Sequence, residues 1–235
     1  MARTPTKPGK RLKAVIFDLD DTLVESTVNY GKFKSLVIER LISWGEDRQS
    51  YRPDETIVAI LSRYEQRMRA SGMSPKELDS RLSELDKIMD EVEMEHASDT
   101  KTIRGAGDLL RMLRSRGVKI GILTRGCESY AETALAVTGM LSLVDSIECR
   151  NSKTKAKPNP ESYLRLVHAL GVEKDETMFV GDHPIDAQCA ANAGVPFVAV
   201  RTGEVPDEIL EEVGSLKVFA DVGEMIAWFE SNLKD

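Results

Sequence analysis

The chain has 235 residues, enough to bury a full core as one large domain or as one domain with a modest insertion. With 41% hydrophobic and 30% charged residues it has ordinary globular composition, and no apolar run approaches the ~20 residues of a bilayer-spanning helix, so membrane insertion is not expected. A net charge of -7 argues against general nucleic-acid binding, the more so because residues 1–13 hold five bases and no acid, leaving the body more acidic still. That basic start lacks the apolar stretch of a secretory signal, so residues 1–9 read as a mobile tail on a cytoplasmic protein. Cys127, Cys149 and Cys189 are widely spaced and form no CxxC pair, which predicts neither a disulfide framework nor a zinc site. Cys189 lies in an alanine-rich stretch and reads as a small buried residue.

The first element is a continuous apolar run from Ala14 to Phe17, as expected of a strand buried on both faces in a parallel sheet. It leads directly into Asp18-Leu19-Asp20-Asp21-Thr22. From about Tyr30 to Ala97 only helical periodicity follows. Phe33, Leu36, Val37, Arg40 and Leu41 mark a first helix ending near Trp44-Gly45. A second runs from about Pro53 through Ile57, Ile60, Leu61 and Tyr64 to Ser71-Gly72. A third opens at Ser74-Pro75, with Glu77 as an early acid and an apolar stripe of Leu78, Leu82, Leu85, Ile88, Met89 and Val92.

Beyond Ile103 helices and strands alternate, the pattern of βαβ units in a doubly wound sheet. A helix over Gly105–Arg116 precedes a strand over Val118–Leu123, which ends at Thr124-Arg125-Gly126. A helix over Ser129–Val137 and a short strand over Val144–Glu148 lead to Lys157-Pro158-Asn159-Pro160, which opens a helix reaching Leu170. The strand Thr177–Val180 delivers Gly181-Asp182, Pro184 starts a helix to Asn192, and Phe197–Val200 is another strand. A final helix-strand-helix unit fills Asp207–Leu233. The expected architecture is α/β: a doubly wound, Rossmann-like parallel sheet core over residues 10–24 and 101–235, with a small all-helical cap over 25–100 inserted after the first strand.

Four polar clusters follow apolar strands or open loops at what should be one sheet edge: Asp18 with Asp20, Thr124, Lys157, and Asp182 with Asp186. In open α/β sheets ligands bind at the carboxyl ends of the strands, so four clusters in this order point to one assembled site. Crowded carboxylates there need a cation to offset their charge.

These clusters resemble the four signature motifs of the haloacid dehalogenase superfamily, and the general layout is similar to its phosphoglycolate phosphatase-like branch with a C1-type helical cap. Asp18-Leu19-Asp20-Asp21-Thr22 resembles motif I, Leu123-Thr124 motif II, Lys157-Pro158 motif III and Gly181-Asp182-His183-Pro184-Ile185-Asp186 motif IV. The resemblance implies a phosphoric monoester hydrolase in which Asp18 is the nucleophile and Asp20 the acid and base. It implies Mg²⁺ held by the Asp18 carboxylate, the Asp20 main-chain carbonyl and Asp182, with Asp186 behind these ligands. Thr124 and Lys157 would bind the phosphoryl group. Mg²⁺ suits an all-oxygen site, whereas direct ligation by His183 does not fit so hard an ion. Lys155 competes with Lys157 for the motif III role, and the Lys-Pro-x-Pro context favours Lys157. Asp21 stands where a glycine is common and reads as loop support.

The expected partner is a small phosphate ester, with phosphoglycolate or a sugar phosphate as examples. Asn29, Tyr30, Lys32, Arg63, Tyr64 and Arg67, on the cap and the loop after motif I, are the candidates to select it; most of them are expected to be ordinary solvated helix residues, and two inward-facing bases among them would suit a second anionic group. A phosphomutase of the same fold and a non-catalytic binding or regulatory protein are the competing readings.

Overall fold

The computed structural model describes residues 11–232 apart from Pro53, Lys153 and Glu204. The expected tail over residues 1–9 lies outside the described residues. The chain divides into two compact units, one holding the residues up to Thr27 together with those from Ala97 onward, the other Val28–His96.

The first unit is built on a six-stranded parallel sheet. Its strands are β1 (Ala14–Phe17), β4 (Lys119–Leu123), β5 (Ser146–Glu148), β6 (Thr177–Gly181), β7 (Phe197–Val200) and β8 (Val218–Phe219), in the order β5-β4-β1-β6-β7-β8. All four residues of β1 are completely buried. Ala14 and Ile16 pack with α6 (Pro160–Leu170) and α7 (Pro184–Ala193) in one cluster, while the alternate residues Val15 and Phe17 point to the opposite face. The sheet is therefore covered on both sides, which is why its central strand reads as an unbroken apolar run. Gly121 lets α6 come close: a Cβ there would sit 3.0 Å from Leu166 Cδ2 and 3.1 Å from Leu170 Cδ1. The remaining helices of this unit are α4 (Ala106–Ser115), α5 (Glu128–Val137), α8 (Asp207–Glu212) and α9 (Met225–Asn232).

Register brings the strand ends level. Phe17 pairs with Ile122 on β4 and with Val180 on β6, so Asp18, Thr124 and Asp182 leave the sheet at the same edge. One element escapes the sequence pattern, an antiparallel ribbon of β2 (Val24–Glu25) and β3 (Lys101–Thr102). Each strand has two residues, too few to show a period. The ribbon ties residues 25–27 and 97–100 to the sheet unit, so the helical unit is shorter than the expected 25–100.

The second unit packs α1 (Tyr30–Ser43), α2 (Ile57–Ala70) and α3 (Pro75–Met94) around Phe33, Val37, Leu41, Ile60, Tyr64, Leu78, Leu85, Met89 and Val92. Side-chain oxygens cap all three helices: Asn29 accepts from the Lys32 N–H, Thr56 from Ala59 and Ser74 from Glu77, with Pro75 in the first turn. The start of α2 corrects the expectation. It begins at Ile57, capped by Thr56, and Pro53 lies outside the described residues. The segment before it is held from within the unit, because Arg63 reaches back to Glu55 and to the Ser50 carbonyl. No helix among the described residues is long and apolar enough to cross a membrane.

Candidate active site

The loop after β1 is wound tightly, with the N–H groups of Leu23 and Val24 both donating to the Leu19 carbonyl at 2.9 and 3.1 Å. This winding puts Asp21 in the left-handed region at φ 53°. Glycine adopts that conformation without penalty and aspartate tolerates it better than most residues, which accounts for Asp21 at a glycine-type position. Its carboxylate accepts the Ser26 N–H at 3.1 Å and its carbonyl accepts the Thr202 hydroxyl, so Asp21 braces the loop.

Asp18 continues the ladder of β1 by donating its N–H to the Val180 carbonyl at 2.9 Å, and its carboxylate meets Lys157 Nζ at 2.7 Å. Lys157 is buried and bonds Asp186 Oδ1 at 2.7 Å as well. The second Asp186 oxygen accepts the His183 N–H at 3.2 Å. His183 itself caps α7, its Nδ1 accepting the Ile185 N–H at 3.1 Å, which gives this residue a structural task at the edge of the site. On the other side, the buried Thr22 hydroxyl donates to Asp182 Oδ1 at 3.0 Å. Two glycines lie flush against these acids: a Cβ on Gly203 would stand 2.1 Å from Asp182 Oδ2, and one on Gly181 2.4 Å from Asp186 Oδ2.

Thr124 is buried at the end of β4, where its hydroxyl oxygen accepts the Gly126 N–H at 2.9 Å. Its own O–H remains a donor for a ligand oxygen. The half-buried Asp20 turns from the cluster toward α5, where its carboxylate accepts the Tyr130 hydroxyl at 2.5 Å.

Oxygens of Asp18, Asp182 and Asp186 lie within 4.8 Å of one another. Two unit charges at that spacing repel by on the order of 3 kcal/mol at an effective dielectric of ~20. Burial, with the Asp18 charge added, pushes the carboxyls of Asp182 and Asp186 well above the ordinary aspartate range. Burial pushes Asp20 up to about 7, the Tyr130 hydrogen bond opposing this and the Asp18 charge adding to it. Burial alone would lower the Lys157 ammonium, yet Asp18 and Asp186 together hold it above the ordinary lysine value. A single ammonium does not neutralise this many carboxylates. The donor set is all oxygen, and both oxygens of Asp186 are already engaged, so Asp18 and Asp182 are the carboxylates that fit a hard divalent cation such as Mg²⁺.

The structure thus gathers Asp18, Asp20, Thr124, Lys157, Asp182 and Asp186 at one edge of the first unit. Thr22, the last residue of the motif I run, completes it together with Tyr130 and Gly203, which no sequence pattern marks. The cap residues named above fare differently. Arg63 pairs with Glu55, Arg67 with Glu46 and Lys32 with Glu95, while Asn29 caps α1 and Tyr64 is buried beside Arg81. The bases on which a second anionic contact would rest are committed to acids of their own unit.

A doubly wound α/β fold with a ligand site at the carboxyl ends of its central strands is the class these observations define. The model of the haloacid dehalogenase-like hydrolase family matches residues 15–200, and the chain belongs to that family. It is 28% identical over 218 residues to the phosphoglycolate phosphatase of Rhodospirillum rubrum, covering 92% of this chain and 90% of that one. To the N-acetylmuramic acid 6-phosphate phosphatase of Pseudomonas aeruginosa it is 26% identical over 200 residues, 84% of this chain and 85% of the other. Among solved structures, a hydrolase from Pseudomonas syringae shares the fold with a TM-score of 0.65 at 20% identity, covering 94% of this chain and all of that one.

Proposed function

We propose that this protein is a Mg²⁺-dependent phosphatase of small phosphorylated metabolites, working through an aspartyl-phosphate on Asp18. The observation that carries this reading is the placement of Asp18 at the end of the central strand, braced by Lys157 and grouped with Asp182, while Asp20 stands apart on Tyr130. The two carboxylates have separate surroundings and can take separate roles. The relatives named for phosphoglycolate and N-acetylmuramic acid 6-phosphate support a phosphate monoester as substrate.

A carboxylate oxygen of Asp18 attacks phosphorus and the ester P–O bond breaks, with Asp20 giving its proton to the departing oxygen. Asp20, now a carboxylate, takes a proton from water as that water's oxygen attacks the same phosphorus. The acyl-phosphate P–O bond breaks, releasing inorganic phosphate and restoring Asp18. Lys157 and the Thr124 hydroxyl hold the phosphoryl oxygens through both displacements. Asp18, Asp182 and the Asp20 carbonyl would hold Mg²⁺, which when bound screens the repulsion between the nucleophile and the phosphate dianion. Asp186 fixes Lys157 from behind.

Purified protein should hydrolyse para-nitrophenyl phosphate with Mg²⁺ and stop when a chelator is added, and a panel of phosphorylated metabolites should then rank the natural substrate. Absence of hydrolysis across the panel would overturn the reading in favour of a binding role. Conversion of a hexose 1-phosphate to its isomer without phosphate release would favour a mutase.

A further inference from the structure

Asp20 does not stand alone in its loop: a tyrosine 110 residues further along the chain holds it. Tyr130 is in the first turn of α5 and its ring is completely buried, yet its hydroxyl reaches Asp20 Oδ1 at 2.5 Å. Ser26 hydrogen-bonds the same carboxylate. The ring packs closely against Gly126. A Cβ at position 126 would lie 2.8 Å from Tyr130 Cδ1 and 3.4 Å from Thr124 Oγ1, so only glycine lets ring and backbone touch there. The same Gly126 donates its N–H to the Thr124 hydroxyl. One contact chain therefore runs from the loop that holds the phosphoryl group, through Gly126 and the Tyr130 ring, to the acid/base carboxylate.

We propose that Tyr130 is a positioning residue for the reaction: its hydroxyl fixes one oxygen of Asp20, so that the other faces the leaving oxygen of a phosphate ester held at Thr124 and Lys157. This rests on the acid/base reading of Asp20 given above. A phenol near neutral pH keeps its proton and serves as a constant donor. A donor fixed to one oxygen restricts the carboxylate to a single orientation, and proton transfer within a bound complex is sensitive to such placement. A core tyrosine with a merely satisfied hydroxyl would need only some polar partner; this one takes the carboxylate that moves the proton.

The test compares wild type, Tyr130→Phe and Asp20→Asn by kcat/KM on two substrates, phenyl phosphate and para-nitrophenyl phosphate. The first has the poorer leaving group and depends more on proton donation. In Tyr130→Phe, kcat/KM should fall about tenfold or more on phenyl phosphate and much less on para-nitrophenyl phosphate, with KM nearly unchanged on both. The deciding quantity is a ratio between substrates on one sample, so a partly unfolded variant still reports it. If Asp20→Asn shows the graded loss and Tyr130→Phe loses activity equally on both substrates, or loses none, the positioning role is overturned. If Asp20→Asn itself loses equally on both, the acid/base reading beneath it fails.

Discussion

Asp182→Asn should stabilise the metal-free protein while abolishing its response to Mg²⁺. Asp182 shares a buried cluster with Asp18 and Asp186 whose oxygens lie within 4.8 Å of one another, and each like-charge pair there costs on the order of 3 kcal/mol. Lys157 offsets part of this, but it lies directly on Asp18 and Asp186, so for Asp182 about one pair is uncompensated. Asparagine removes the charge and keeps a side-chain oxygen for the Thr22 hydroxyl. A gain of about 2–3 kcal/mol corresponds to a rise in Tm of roughly 4–12 °C for a domain of this size. The pH dependence follows from the same crowding. The Asp182 carboxyl is raised in the folded state, so the unfolded chain releases this proton first as pH rises. Stability of the wild type is then lost upward from its unfolded value near 4 toward the raised folded value, and the gap between variant and wild type should shrink as pH falls toward about 4. Thermal melts of both proteins from acid to neutral pH, with and without Mg²⁺, read all of this. An Asp182→Asn variant that melts at or below the wild type in chelator at pH 7 would show that Asp182 carries no uncompensated repulsion, and one that Mg²⁺ still stabilises would show that Asp182 does not hold the ion.

Gly203→Ala places a Cβ 2.1 Å from Asp182 Oδ2, so this carboxylate must move, and the Mg²⁺ concentration for half-maximal activity should rise about tenfold with the circular dichroism unchanged. Leu85→Ala empties a fully buried position in the three-helix unit and should lower stability by about 2–5 kcal/mol in denaturant titration. Cys127, Cys149 and Cys189 are all buried, and burial pushes the thiols of Cys149 and Cys189 up to about 12. A thiol reagent at pH 8 should therefore leave the native chain almost unlabelled and modify three cysteines after denaturation.

Much of the fold was legible because the signals are local. The unbroken apolar Ala14–Phe17, the apolar stripes of the three helices and the polar residues at strand ends each depend on a few neighbouring positions. Parallel register then brings Asp18, Thr124 and Asp182 level without further information. What stayed hidden depends on contacts between distant segments. A tyrosine on the inner face of a helix reads as core, and only packing against Gly126 and Asp20 gives Tyr130 its place. The partners of Arg63 and Arg67 were equally invisible, because surface bases on a helix carry no mark of which acid they meet. The two-residue ribbon and the delayed start of α2 lie below the length at which periodicity can speak.

Hydrolysis through Asp18 requires a phosphoenzyme on that residue. Protein mixed with a radiolabelled phosphate monoester and Mg²⁺, then quenched in acid during turnover, should retain label in a bond that hydroxylamine cleaves, mapping to the peptide that contains Asp18; Asp18→Asn should retain none and turn over no substrate. Label on another residue, or turnover by Asp18→Asn at a rate near the wild type, would rule out Asp18 as the nucleophile.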